Sequence, residues 1–515
     1  MAIPAVLYTW QLDRVPAFLT LDEAHFSVHA AAIAKTGRNL NGDVLPLLVS
    51  LEDPGGETYH VPWGYAHYLP FGIYLIAGAL QFLPLDEASV RLPAAVLGGA
   101  VNVALLYLMA WLLFRSRVAA VCGAAVLAFT PANLIISRQA LDLVCQLPFT
   151  LGALACLAAY LRRPDPRLAL AAGAILGGGV YAYVTSLFFM PLFLALFWAV
   201  SGRNGVLTKQ AWLLSAGGFA VALLPMALWL WSHPEAFRSI RIQYLTGDPS
   251  SVSMFEHVAR DGIVSGGREL LRVYWSYFDP AFLFVQGGNA RNLSTGEIGV
   301  FVAAVAVLAP LGLYYLRSSP ALLIVLAGLL TAPLPAAVKG APYQIHRASG
   351  LLVFVSLIAG YGLAMLWQSP RWRARVLATA LITVSALQFA AFYRDYFSSY
   401  RVSSAHSYDP TAFGTVAEVL ARHHAQHPIT RVFLPAGYYD VGAKWRFYLT
   451  KLEIEDLRSR TQYYSRAADD LVDAAVDSIA LLPDGVEAIS GWATIATISN
   501  LMGAPTATLI RRVPD

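Results

Sequence analysis

The sequence predicts a polytopic α-helical membrane protein that ends in a smaller α/β domain. Of its 515 residues, 57% are hydrophobic and 13% are charged, and the mean hydropathy is +0.55. Soluble proteins carry roughly a quarter charged residues, whereas the apolar residues here gather in runs that approach the roughly 20 residues of a membrane span. After Phe392 the charge returns to an ordinary level. We therefore expect a transmembrane domain over residues 1–393 and a second domain over 394–515.

The short links between the apolar runs predict how the chain is oriented. Basic residues dominate five of these links, at 115–117, 162–167, 201–209, 317–319 and 371–375. Because basic loops stay in the cytoplasm, the links alternate correctly if each run between them crosses once. This gives about eleven spans, of which the first is too short to cross alone. The positive charge therefore reports topology, and it does not indicate binding to nucleic acid.

Three longer segments face outwards under this topology: 13–90, 232–298 and 338–347. The first of them contains an apolar stretch at 65–82, which is interrupted by Pro70 and Gly72 and is rich in Tyr and His. A crossing there would move the first outer segment to the cytoplasm. We interpret 65–82 as helices that lie in the membrane interface.

The C-terminal segment 394–515 alternates helix-like and strand-like stretches, which is typical of a small soluble α/β domain on the outer side. The helix-like stretches are 411–426 and 467–475. The strand-like stretches are 431–434, 478–482 and 506–510. The three cysteines, Cys122, Cys145 and Cys156, all lie in apolar runs, so neither a disulfide framework nor a zinc-binding cysteine pattern is indicated.

An acidic pair, Asp22 and Glu23, follows the short first apolar run. Thr20 and Glu23 have the spacing of a capping box, so one interpretation is an ordinary first turn of a helix. The other is a carboxylate held at the membrane surface for catalysis. A carboxylate at a helix N-terminus stays ionised and is ready to accept a proton.

Other ionisable residues reach the same outer side. Arg91 and Arg138 lie at the ends of apolar runs, where arginines often extend to lipid headgroups. Asp142 begins an apolar run, so it either caps a helix or serves a functional site. Lys339 and Arg347 share the outer segment 338–347.

These residues stand in motifs that resemble the C-type membrane glycosyltransferases, notably protein O-mannosyltransferases and lipid A aminoarabinose transferases. Leu21-Asp22-Glu23-Ala24 resembles the acidic motif of their first outer loop. The stretch 90–98, with Arg91 and Pro93, is similar to their Arg-x-x-Pro-Ala-x-x-Gly sequence but has one residue fewer between Arg and Pro. Ser137-Arg138 with Leu141-Asp142 resembles their Ser-Arg…Leu-Asp turn.

Two later segments, 278–291 and 346–348, are also similar to bacterial relatives. The resemblance covers residues 15–395, and it is carried by the order and shared side of the motifs. The short first span and the C-terminal domain depart from the mannosyltransferases, which have a β-trefoil inserted elsewhere.

The resemblance implies the C-type fold and an inverting transfer of a sugar from a polyprenyl phosphate to a lipid, glycan or protein on the outer face of a bacterial inner membrane. Asp22 would be the general base, and Glu23 would orient the acceptor or a metal. Asp142 is a further catalytic candidate. The departing phosphate needs fixed cations, for which the candidates are Arg91, Arg347, Arg138 and Lys339.

Asp22, His25 and His29 fall on one face of a helix, at i, i+3 and i+7. This set is a hypothetical site for a divalent cation, either Mg²⁺, Mn²⁺ or Zn²⁺. The alternative is that both histidines are polar tips at the membrane interface.

Two other functions compete with the enzyme. A transporter or flippase of lipid-linked sugars should carry charges near the middle of the bilayer and should have related halves. Here charges within the apolar runs are almost absent and no internal repeat is visible. A scaffold whose outer domain binds a partner would require no function of Asp22.

Overall fold

The computed structural model describes residues 2–50, 67–238, 252–436, 441–465, 471, 473–486 and 489–514. Helices dominate the first four fifths of the chain. In chain order they are α1 (Ala2–Thr9), α2 (Leu21–Thr36), α3 (Pro70–Leu80), α4 (Glu87–Val96), α5 (Asn102–Phe114), α6 (Arg117–Ala128), α7 (Pro131–Ser137), α8 (Leu147–Tyr160), α9 (Pro166–Gly179), α10 (Ser186–Arg203), α11 (Lys209–Ser232), α12 (Met254–Asp261), α13 (Ile263–Ser276), α14 (Pro280–Phe284), α15 (Val305–Leu316), α16 (Ala321–Thr331), α17 (Leu334–Lys339), α18 (Gly350–Gln368) and α19 (Trp372–Phe397).

Within the described residues, six helices are long and apolar enough to cross a membrane, or seven if the bent pair α6–α7 is one span. They are Glu87–Phe114, Ser186–Arg203, Lys209–Ser232, Ala321–Lys339, Gly350–Gln368 and Trp372–Phe397. The protein is thus a multi-pass membrane protein. The count of about eleven spans stays a prediction, because several predicted runs form shorter helices. For example, α8 and α15 have 14 and 12 residues.

The longest apolar helix joins α4 to α5 through a π-helical turn, Leu97–Val101. A π-turn adds a residue to the helix and commonly marks a functional region. Here it brings two glycines of that turn against other helices. A side chain at Gly98 would collide with Ser137 of α7, and one at Gly99 would collide with Tyr8 of α1. The turn therefore permits close packing between α1, α4 and α7.

The outer segment 13–90 contains α2, α3 and a short antiparallel pair, β1 (Val49–Ser50) and β2 (His67–Tyr68). α3 has 11 residues, which span about 16 Å and do not reach across a hydrocarbon core of about 30 Å. In the region 232–298, helix α13 is amphipathic and exposes Leu271 and Trp275.

After α19 come two short helices, α20 (Ser399–Ser403) and α21 (Ala405–Tyr408), and then α22 (Phe413–Gln426) and α23 (Val441–Lys451). The remaining strands form one five-stranded sheet in the order β4-β3-β5-β7-β6. They are β3 (Val432–Pro435), β4 (Thr461–Tyr464), β5 (Ile479–Pro483), β6 (Trp492–Ser499) and β7 (Pro505–Arg512). The strands predicted at 431–434, 478–482 and 506–510 correspond to β3, β5 and β7. Most of the helix predicted at 467–475 lies outside the described residues.

The sheet is mixed, with β4 and β5 parallel to β3, and with β7 antiparallel to its neighbours β5 and β6. Strand β3 is buried on both faces, as expected for a parallel strand covered by helices. One face belongs to a small separate core that includes Phe433 and Ile510. The other face, with Val432 and Leu434, joins the large core that continues into the transmembrane helices. The C-terminal sheet is therefore packed against the helical body.

Candidate active site

A pocket of about 740 Å³, including its open mouth, lies where α2, β2, α3, the turn before α8 and the segment after α17 meet. One side is polar and the other is apolar or aromatic. The polar lining consists of Asp22, His67, Tyr68, Asp142, Tyr183, His346 and Arg347; the apolar lining consists of Phe26, Leu48, Leu69, Leu141, Leu143, Val184 and Leu187. Ligand sites commonly combine a mostly apolar wall with a few convergent polar groups.

Asp22 stands in the first turn of α2, where the helix dipole favours a negative charge. Its side chain is half-buried and lines the pocket. The Tyr68 hydroxyl donates a hydrogen bond of 2.8 Å to Asp22 Oδ1. The ring of Tyr68 packs edge-to-face on buried Phe26, with centroids 5.1 Å apart. Tyr68 therefore fixes the orientation of the Asp22 carboxylate from across the pocket.

Glu23 points away from this pocket. With Thr20 it forms the capping box that the spacing predicted: Thr20 N donates to Glu23 Oε2 at 2.9 Å, and Glu23 N donates to Thr20 Oγ1 at 3.2 Å. Glu23 Oε1 also accepts from Arg91 Nε at 2.9 Å and from the Ala140 backbone at 2.8 Å. The side chains of Glu23 and Arg91 are fully buried. The side chain of Glu23 thus connects α2 to α4 and to the turn that follows α7.

Asp142 lies in the pocket with Asp22, but it does not cap a helix. The next helix begins five residues later at Leu147, and no side chain caps it. α3 covers Asp142 closely, because a Cβ at Gly72 would lie 3.1 Å from Asp142 Cβ. Burial, and then the nearby Asp22 carboxylate, raise the pKa of Asp142 well above its usual value. Asp142 therefore favours its protonated form in this pocket.

Arg347 and His346 are a further polar part of the lining. Both belong to a 3₁₀ turn, Ile345–Ala348, and both line the pocket. Arg347 is half-buried, and its Nε donates to Gln344 Oε1 at 2.7 Å. His346 is buried, and burial followed by the Arg347 charge lowers its pKa well below the usual value, so its imidazole is neutral. Of the four predicted phosphate ligands, Arg347 is the one that lines the pocket with Asp22.

Arg91 occupies a different place from the one its predicted role requires. All five of its N–H groups are engaged, two by Glu23 and three by the carbonyl oxygens of Leu12, Pro16 and Phe18, over 2.8–3.5 Å. Its exposed fraction is 0%. This geometry favours a structural position, and no donor remains for a phosphate.

Arg138 is held in the same manner. It donates to the carbonyl oxygens of Tyr8 and Val15 at 2.7 Å and of Gln11 at 3.2 Å. Its guanidinium carbon also lies 4.9 Å from the ring centre of Phe397. Arg138 therefore does not pair with Asp142. Together the two arginines hold the segment between α1 and α2 in place through hydrogen bonds to its carbonyl groups. Asp22 follows this segment directly in the chain.

Lys339 ends α17 and is buried, but it is not among the residues that line the pocket. The hypothetical metal ligands also lack the required arrangement. Over the described ranges, no three His, Cys, Asp or Glu side chains are placed to hold a metal ion. His25 and His29 are buried within α2 rather than presented at a membrane interface.

Sequence reasoning missed Tyr68 and Tyr183 as pocket residues. For Tyr68 the sequence contained one signal, since residues 65–82 are unusually rich in Tyr and His. Only the pairing of β2 with β1 places Tyr68 over the start of α2.

The helical arrangement and the pocket at the ends of the helices define the C-type glycosyltransferase fold. The profile of the dolichyl-phosphate-mannose-protein mannosyltransferase family matches residues 66–229, a segment that contains Arg91, Arg138 and Asp142. The resemblance seen in the sequence motifs is thus confirmed. Among curated proteins, none matches this chain significantly.

Two solved structures are similar over almost the whole chain. One is ArnT from Cupriavidus metallidurans bound to undecaprenyl phosphate, with a TM-score of 0.61 and 12% identity over 100% of this chain and 97% of that one. The other is the same protein in the apo state, with a TM-score of 0.60 and 13% identity over 99% and 97% of the two chains. This chain shares their fold, including the C-terminal region.

Proposed function

We propose that this protein is an inverting glycosyltransferase that moves a sugar from a polyprenyl phosphate to an acceptor on the outer face of a bacterial inner membrane. The observation that carries the proposal is that Asp22 and Arg347 line the same pocket of a C-type fold. The pocket offers a proton acceptor and a cation, which are the two groups that this transfer needs. Its apolar wall suits the lipid end of such a donor.

In the proposed reaction the acceptor hydroxyl or amine attacks the anomeric carbon, and its proton passes to the Asp22 carboxylate. The bond between that carbon and the phosphate oxygen breaks, and its electron pair leaves with polyprenyl phosphate. Attack opposite the leaving group inverts the anomeric centre. Arg347 stabilises the charge that develops on the phosphate, since a guanidinium binds phosphate oxygens in a bidentate manner.

Asp142 takes a second role in this proposal. Its raised pKa favours the protonated acid, which donates a hydrogen bond and leaves Asp22 as the ionised carboxylate. We propose that Asp142 binds a hydroxyl of the sugar or of the acceptor. The neutral imidazole of His346 is available for a similar contact.

The test uses purified protein with polyprenyl phosphates that carry different hexoses and pentoses, offered with lipid, glycan and protein acceptors. Release of free polyprenyl phosphate reports transfer whichever acceptor is used. We expect Asp22→Asn to lower the rate by about 10²–10⁴-fold, the usual loss when a general base is removed. The matched control is Asp13→Asn, because Asp13 lies in the same outer segment and is exposed. Wild-type turnover by Asp22→Asn would exclude Asp22 as the base.

A further inference from the structure

Helix α23 of the C-terminal domain packs directly on α2, the helix that carries Asp22. Several apolar residues of α23, including Trp445 and Phe447, are almost completely buried. The interface also includes charged groups. Burial, His25 and then Arg446 of α23 lower the pKa of His29 to about 3, so that His29 is neutral beside this cation.

An ion pair also connects α23 to α4 of the transmembrane domain. Lys451 Nζ donates to both carboxylate oxygens of Glu87, at 2.8 and 2.6 Å. The side chains are only 25% and 11% exposed. The ammonium also lies 5.4 Å from the ring centre of Tyr448, whose pKa is raised by burial and by Glu87. Lys451 is therefore held in a defined geometry.

Glu87 and Arg91 stand four residues apart on α4, on the same face of the helix. Arg91 Nε lies 2.9 Å from Glu23 Oε1. Glu23 directly follows Asp22 in the first turn of α2. The C-terminal domain is thus joined to α4 by the Lys451–Glu87 ion pair, and α4 is joined to α2 by the Arg91–Glu23 ion pair, while Glu87 and Arg91 interact electrostatically along α4. Each contact is partly or wholly buried, so solvent screening is weak.

We propose that the C-terminal domain positions the Asp22 helix, with Lys451 and Glu87 as positioning residues that act through Arg91 and Glu23. The proposal rests on the proposed function in that Asp22 is taken as the base. A displacement of about 1 Å at a catalytic group can cost about 100-fold in rate. Neither Lys451 nor Glu87 lines the pocket, so neither contributes to donor binding.

The experiment compares wild type with Lys451→Met and Glu87→Gln in the full-length protein. We expect kcat to fall by roughly 10- to 100-fold, while the KM for the lipid-linked donor stays near the wild-type value. The charge swap, with Lys451→Glu and Glu87→Lys together, should restore part of kcat. The matched control is Arg511→Met, which removes an ion pair to Asp477 inside the C-terminal domain. It should leave kcat unchanged.

Hydrogen exchange of the α2 amides, measured by mass spectrometry, gives a readout that needs no activity. We expect faster exchange over residues 21–36 in Lys451→Met and Glu87→Gln, and wild-type exchange there in Arg511→Met. A purely structural pair would lower the unfolding temperature without changing kcat of the folded enzyme, and this result would overturn the proposal. Unchanged α2 exchange in both single variants would also overturn it. If the wild type transfers no sugar from any donor, the proposed function fails, whereas the exchange comparison still decides the positioning.

Discussion

Asp22 and Glu23 are neighbours in the first turn of α2, yet their side chains have different surroundings. Asp22 lines the pocket, whereas Glu23 is buried between α2, α4 and the turn that follows α7. A buried carboxylate persists only when it is paired and hydrogen-bonded, and Glu23 meets that requirement through Arg91 and the backbone N–H groups of Thr20 and Ala140. The contacts of Glu23 are therefore structural, and Asp22 is the member of the pair that lines the pocket.

The first prediction at this scale separates Arg347 from Arg91. Arg347→Gln should weaken binding of polyprenyl phosphate by about 1.5–3 kcal/mol, because a charged hydrogen bond to phosphate is lost. Arg91→Gln should instead lower the free energy of unfolding by about 3–5 kcal/mol, because it leaves Glu23 buried without its cation. Binding to the purified proteins and unfolding in detergent measure the two effects. Weak phosphate binding by folded Arg91→Gln with a stable fold would reverse the assignment.

The second prediction concerns Asp142 and pH. Burial and Asp22 raise the pKa of Asp142 in the fold, so the folded state binds a proton more tightly than the unfolded chain does. Its contribution to stability is then fully present below the unfolded value of 3.8 and is lost as the pH rises through the raised value.

Asp142→Asn keeps the shape of the protonated acid but removes the titration. We expect its unfolding temperature to match wild type in acid and to exceed it increasingly as the pH rises above the unfolded value of 3.8. In an Asp22→Asn background the difference should shrink, since one cause of the raised pKa is gone. A difference between the two proteins that is independent of pH would contradict the prediction.

At the scale of elements, the decisive feature is a set of short helices beside the long spans. α2 has 16 residues and α3 has 11, and both begin beside the pocket, at Asp22 and Leu69. α2 stops at Gly37, whose positive φ of 70° suits a left-handed C-cap. α3 begins with Pro70 at its first turn and packs its Gly72 over Asp142. Helices of this length form the walls of a site at the membrane surface.

The prediction for these elements is that α3 does not cross the membrane. A single cysteine at Phe82, which is 85% exposed, should react with an impermeant maleimide from the same side as a cysteine at Asp13. A cysteine at Arg163, in a basic link, should react from the opposite side. The native cysteines are replaced in all three proteins. Labelling of the Phe82 position together with the Arg163 position would place Asp22 in the cytoplasm and would contradict the proposed reaction.

At the scale of the whole molecule, the C-terminal sheet and the transmembrane helices share one core. Tyr393 of α19 donates to the Leu7 carbonyl at 3.0 Å, and Arg401 donates to the Arg14 carbonyl at 3.0 Å. The first and last parts of the transmembrane domain therefore meet beside the segment that leads to Asp22. This closure, together with α23 on α2, makes the C-terminal domain part of the structure that holds the site.

The sequence by itself determined the membrane class and the capping box, and it included both Asp22 and Asp142 among its candidate carboxylates. These features depend on composition, on local hydrogen bonds and on short motifs, which are legible along the chain. It did not determine which arginine faces the pocket. Arg91, Arg138 and Arg347 all stand at ends of apolar runs, and their local patterns are equivalent.

Only the tertiary structure distinguished these three arginines, because it alone shows what each guanidinium contacts. The carbonyl groups of the segment between α1 and α2 have no helical partners of their own, and buried carbonyls require donors. Arg91 in α4 and Arg138 at the end of α7 supply those donors from positions 73 to 130 residues away in the chain. Arg347 instead lines the pocket together with Asp22 and Asp142.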